Sequence, residues 1–75
     1  MPKLPRDVSG KQAVRAFEKL GYVVDHTVGS HAVLLARGEP KKRLVVPLHK
    51  AVKVGTLSKL IKDAGLTVER FIELL

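Results

Sequence analysis

Tyr22-Val23-Val24-Asp25-His26-Thr27, then Val28-Gly29-Ser30, then His31-Ala32-Val33-Leu34-Leu35-Ala36 is the stretch that decides the fold of this 75-residue chain. Both flanks are rich in β-branched residues, with an aromatic at Tyr22, and the centre holds a glycine able to reverse the chain, so the run predicts a β-hairpin. Arg37-Gly38-Glu39-Pro40-Lys41-Lys42 carries the Gly, Pro and charge of a second turn, and Arg43-Leu44-Val45-Val46-Pro47-Leu48-His49 reads as a third strand. Pro47 has no N–H to give to a ladder, which puts this strand at an edge or an end there.

Helices flank the strands. Ser9 followed by Gln12 is a capping box, and Ala13, Ala16, Phe17 and Leu20 recur on one face up to Gly21, predicting a helix over residues 10–20. Lys50 to Lys53 form a basic connection into a second helix, where Leu57, Leu60, Ile61 and Ala64 repeat the apolar stripe before Gly65. Thr67 then caps a short terminal helix bearing Phe71, Ile72, Leu74 and Leu75. The order of helix, three antiparallel strands, helix and short helix predicts an α+β two-layer sandwich over a single domain, residues 1–75.

Register has consequences for chemistry. A two-residue turn at Val28-Gly29 sets His26 opposite His31, so two imidazoles become neighbours on one face with Tyr22, Val24, Val33 and Leu35, unless a bulge at Gly29 breaks the pairing. The other face then holds Val23, Ala32, Leu34 and Ala36. Helices on one layer cannot cover both apolar faces, so one face is expected to await a partner.

Composition bounds the function. A chain this short has one small core and little room to enclose a cofactor, so none is expected. Cysteine is absent, which argues against a disulfide-stapled secreted domain and removes any thiolate metal site. The histidine spacings match no familiar zinc site, and no metal is expected. The start, Met1-Pro2-Lys3-Leu4-Pro5, has no apolar stretch behind its charge, and no run reaches the ~20 apolar residues of a membrane span. A cytoplasmic protein with no membrane partner is the expectation. Fourteen Lys and Arg against seven Asp and Glu give a net charge of +7, which favours a polyanionic partner, nucleic acid or an acidic protein, over a role in solubility alone.

The common phosphate-loop, dinucleotide, metalloprotease and serine-nucleophile motifs are missing. Gly29-Ser30-His31 remains, an imidazole raised at the edge of a sharp turn. Imidazole, with an ordinary pKa of ~6.5, suits proton removal from a ribose 2′-hydroxyl at neutral pH, and RNA cleavage by that route needs no metal. His31 is therefore either the candidate general base, with Gly29 and Ser30 shaping the turn, or a surface histidine that ends it, and His26 and His49 are either accessory candidates or structural residues of a strand and a loop. Lys11, Lys50 and Lys53 are the candidate contacts to RNA phosphates. The run Lys41-Lys42-Arg43 is a solvated turn or a further phosphate contact. Three aromatics, two of them on helix stripes, supply few base-stacking platforms, which favours recognition of the backbone.

Leu4-Pro5-Arg6 with Ser9-Gly10-Lys11, Leu20-Gly21-Tyr22, Gly29-Ser30-His31, Val45-Val46-Pro47-Leu48-His49, and Gly55-Thr56-Leu57 leading to Lys62-Asp63-Ala64-Gly65-Leu66 together resemble the HicA (YcfA-like) mRNA interferase toxins. The resemblance implies a double-stranded-RNA-binding-domain-like α-β-β-β-α fold, here with a short extra C-terminal helix, and an endoribonuclease that cuts mRNA independently of the ribosome. It implies that His31 is the catalytic residue. It also implies a HicB-like antitoxin that binds the toxin and blocks its active site, giving a hetero-oligomer, with a homodimer as the other assembly expected. Two departures stand out: Val28 where many relatives have a basic or polar residue, and Val54 where many have proline. A non-catalytic double-stranded-RNA-binding module and a pure protein-interaction domain are the rival functions for the same fold.

Overall fold

The computed structural model describes residues 4–75 and, within them, the side chains of all but 39–41. The Met1-Pro2-Lys3 part of the leader expectation and the Lys41 side chain of the basic run lie outside the described residues. Six elements follow in the expected order: α1 (Gly10–Glu18), β1 (Tyr22–Val28), β2 (His31–Ala36), β3 (Glu39–Pro47), α2 (Val54–Asp63) and α3 (Val68–Leu74). The strands form one antiparallel sheet in the order β1-β2-β3, giving the α+β, α-β-β-β-α architecture with an added terminal helix. Among the described residues no helix is long and apolar enough to cross a membrane.

The capping box opens α1 as its residues predict. The Gln12 N–H donates to Ser9 Oγ at 3.1 Å, and the Ser9 N–H donates to Gln12 Oε1 at 2.9 Å. Regular helix stops at Glu18, short of the expected Leu20, because the N–H groups of Leu20 and Gly21 turn back to Phe17 and Glu18 while Gly21 takes a φ of +102°.

The hairpin register differs from the expectation. Val28 pairs with His31, so the two-residue loop is Gly29-Ser30 and not Val28-Gly29. With φ of +58° at Gly29 and no positive φ at Ser30, glycine takes the first central position, where a type II′ turn requires it. A bulge between Val24 and His26 shifts β1 again. His26 therefore lies opposite Val33 and does not oppose His31. Tyr22 and Val24 move to the face shared with Ala36 and Leu34, while Val23 joins Leu35 on the other.

At the second turn only Arg37-Gly38 connects the strands, with Gly38 at φ +82°. β3 thus begins at Glu39, earlier than the expected Arg43, and a bulge takes up the extra residues, since Ala36 pairs with Glu39 but Leu35 with Arg43. It ends at Pro47, so His49 lies beyond the strand. As the last strand of the order, β3 is an edge, as Pro47 suggested.

Ala32, Leu34, Leu44 and Val46 point from the sheet into the core beside Phe17, Leu57 and Phe71. The Phe17 ring lies 5.4 Å from that of Phe71 and 6.0 Å, edge-on, from that of Tyr22. Each fully buried phenylalanine contributes roughly 1.5–3 kcal/mol relative to exposure. α3 is held to α1 at a second point, where Lys19 Nζ donates to the Leu74 carbonyl at 2.8 Å. The opposite sheet face carries His31, Val33, Val45 and the exposed Val23 and Val28.

Candidate functional site

Three backbone hydrogen bonds assemble the sheet end that bears His31. The Leu48 N–H donates to the Ser30 carbonyl at 2.6 Å, tying the chain after β3 to the Gly29-Ser30 turn. The Gly10 N–H donates to the His49 carbonyl at 2.9 Å, and the Val52 N–H to the Val8 carbonyl at 2.8 Å. Segments distant in sequence are thereby fixed to one another: the start of α1, the hairpin turn, and the Pro47-Leu48-His49 exit.

Gly10 is the tightest of these points. A Cβ on Gly10 would lie 2.1 Å from the Pro47 carbonyl oxygen and 2.6 Å from Leu48 Cα, so only hydrogen fits where α1 meets the backbone leading to His49. The neighbouring Ser9 cap sets where the helix starts, and with it the position of Gly10.

These contacts bring His31 and His49 together. His31 opens β2 opposite Pro47, on the face away from the helices, and its ring centroid lies 6.3 Å from that of His49 at an interplanar angle of 67°. Both rings border an open cavity of about 330 Å³, whose other walls are Val45, Pro47, Lys53 and Thr56. Both histidines are exposed. Lys53 is the residue from which α2 starts, and that start has no side-chain cap. The positive end of the helix dipole therefore adds to the Lys53 ammonium at one end of the cavity. Two imidazole rings beside an ammonium group suit a reaction in which protons move around an anionic centre.

The remaining sequence candidates are distributed differently. Gly29 and Ser30 form the turn, and Ser30 acts through its backbone carbonyl, which holds Leu48. His26 is not among the cavity residues; its Nδ1 lies 2.5 Å from Asp25 Oδ2, making an exposed local pair. Lys50 is exposed in the bend after His49 and does not border the cavity. Lys11 borders a different cavity of about 260 Å³ between α1 and β1, with Arg15 and Val24. Among the described residues no three His, Asp or Glu side chains converge as metal ligands would.

Thr56 and Val45 are wall residues that the sequence reading did not name as site residues, although both stand in stretches that carry the family resemblance, Gly55-Thr56-Leu57 and Val45-Val46-Pro47-Leu48-His49. Their place at the site follows from α2 lying alongside β3, for which one sequence holds no local signal.

No curated protein matches the chain. The family profile described as the HicA toxin of bacterial toxin–antitoxin systems matches residues 10–66, spanning both histidines of the cavity and every element from α1 to α2. The chain belongs to the HicA toxin family of bacterial toxin–antitoxin systems.

Proposed function

We propose that this toxin is an endoribonuclease that cuts mRNA without a metal ion, with His31 as general base on a ribose 2′-hydroxyl. The observation that carries the reading is the pairing of His31 with His49, 6.3 Å between ring centroids, in an open cavity that also holds Lys53. His31 takes the proton of the 2′-hydroxyl as its oxygen bonds to the adjacent phosphorus. The bond from phosphorus to the leaving 5′-oxygen breaks, and the His49 imidazolium donates a proton to that oxygen. The products are a 2′,3′-cyclic phosphate and a free 5′-hydroxyl. Lys53 stabilises the charge that builds on the non-bridging oxygens.

Gly29 and Ser30 hold the geometry, Ser30 through its bond from Leu48. Lys50 and Lys11, away from the cavity walls, are assigned to more distant phosphates, and His26 to no proton transfer. As a toxin of a toxin–antitoxin system the protein has an antitoxin partner. A HicB-like protein that covers this cavity in a hetero-oligomer, in the cytoplasm, would silence it.

The test is incubation of purified protein with end-labelled single-stranded RNA in EDTA. Wild type is expected to cut. His31→Ala is expected to lose ~10²–10⁴-fold in rate, the usual worth of a positioned general base. Salt-sensitive RNA binding without any cutting would instead make this a binding module, and no RNA affinity at all would make it a protein-interaction domain.

A further inference from the structure

The cavity beneath His31 and His49 does not end at Thr56. A second cavity, of about 340 Å³, continues from it along the cleft between β3 and α2, and the two share Val45 and Thr56. Arg43 stands on the strand side and Lys59 on the helix side, with Asp63 at the far end. Thr56, Lys59, Leu60 and Asp63 recur at the i, i+3, i+4, i+7 spacing of one helix face, which is why α2 presents them together.

We infer that this cleft is a second nucleotide-binding subsite, in which Arg43 and Lys59 hold the backbone of the RNA on one side of the scissile phosphate. The inference rests on the ribonuclease reading and deepens it. Arg43, Lys53 and Lys59 are exposed and make no ion pair or side-chain hydrogen bond with a described residue, so three cations line the cleft against one anion, Asp63, at its far end. Lys53 and Lys59 stand about 9 Å apart along the helix axis at 1.5 Å per residue. From Lys53 to Asp63 the axis runs about 15 Å by the same rise. At a rise of ~3.4 Å per nucleotide in a stacked strand, that admits about four nucleotides, and fewer in an extended one. No Phe, Tyr or Trp lines either cavity, so the subsite holds phosphates and reads no base by stacking. Asp63 ends the basic track and turns the strand out to solvent.

An acidic peptide has the charge for this cleft as well. Continuity with the two imidazoles favours the substrate's own backbone.

The test uses a fluorescent single-stranded RNA with 2′-O-methyl sugars throughout, which keeps the RNA backbone but lacks the attacking hydroxyl, titrated by anisotropy at several salt concentrations. Arg43→Gln and Lys59→Gln are each expected to weaken binding ~2–5-fold and to make the log–log salt slope shallower by about 0.7–1. Arg70→Gln, an equal loss of charge on α3 away from both cavities, is expected to leave the slope unchanged. Trimming nucleotides from one end of the strand is expected to weaken wild type but not the Arg43→Gln/Lys59→Gln double variant. Circular dichroism and the urea midpoint verify that these surface variants are folded. Equal losses from all three single variants, or indifference of wild type to trimming at both ends, overturn the subsite while leaving the ribonuclease reading intact. Failure of wild type both to bind this strand and to cut the 2′-hydroxyl form overturns both together.

Discussion

Replacing Gly10 by alanine should damage this protein, although alanine is the better helix former. In a helix interior the exchange gains about 0.5–1 kcal/mol through reduced backbone entropy. Here the new methyl carbon would be placed 2.1 Å from the Pro47 carbonyl oxygen, and both Pro47 and Leu48 meet it with backbone atoms that no rotamer change removes. Relief requires moving α1 and the β3 exit apart by about 1 Å, a shift of the size that overpacking typically penalises by 1–3 kcal/mol. It also stretches the 2.9 Å bond from the Gly10 N–H to the His49 carbonyl, worth ~0.5–1.5 kcal/mol. The net expectation is a loss of about 2 kcal/mol, or a fall in Tm of roughly 8–16 °C for a domain of this size. Gly55→Ala is the control, because Gly55 lies in the first turn of α2 with nothing within 4 Å of the added carbon; it should gain about 0.5 kcal/mol. Urea and thermal unfolding by circular dichroism measure both. A Gly10→Ala protein as stable as wild type would refute the close approach of α1 to the segment bearing His49.

Other expectations follow from the same contacts. Ser9→Ala removes the reciprocal cap with Gln12 and should lower stability by about 1 kcal/mol in urea unfolding, recovered largely by Ser9→Asp. Phe71→Ala empties the fully buried site against Phe17 and should lose ~3–5 kcal/mol by the same assay, showing that α3, beyond the family match, is part of the core. Cleavage by two imidazoles needs one ring to accept a proton and the other to donate one, so with labelled RNA in EDTA His49→Ala should slow cutting by ~10²-fold or more, while His26→Ala should cut at the wild-type rate.

The element order was legible because each boundary carries local chemistry: the Ser9–Gln12 box, the glycines after α1 and α2, and the Thr67 cap. The core stripe of Leu57, Leu60 and Ile61 was likewise legible from its spacing. Strand register was not, because it depends on one choice of turn. Val28-Gly29 and Gly29-Ser30 fit the same residues until the type II′ requirement puts glycine first, and the bulge at Asp25 has no signal in a run of β formers. At the site, the Gly29-Ser30-His31 turn was a weak signal alone, and it was the resemblance to the HicA family that pointed to His31. Its partner was harder to choose. His26 looked nearer by sequence, whereas the Ser30 to Leu48 and Gly10 to His49 bonds bring in His49 from the far end of β3. Long-range backbone bonds of this kind leave no periodic trace.

General-base attack by a ribose oxygen is the central claim, and single-site substitution of that oxygen tests it most directly. An RNA cut at one mapped position is compared with the same strand carrying a 2′-deoxy sugar only at that nucleotide, in EDTA, with product ends read by mass spectrometry. The account predicts a 2′,3′-cyclic phosphate from the ribose strand and no cut at that position in the substituted strand. Cleavage of both strands there at equal rates, or products bearing a 5′-phosphate, would contradict it.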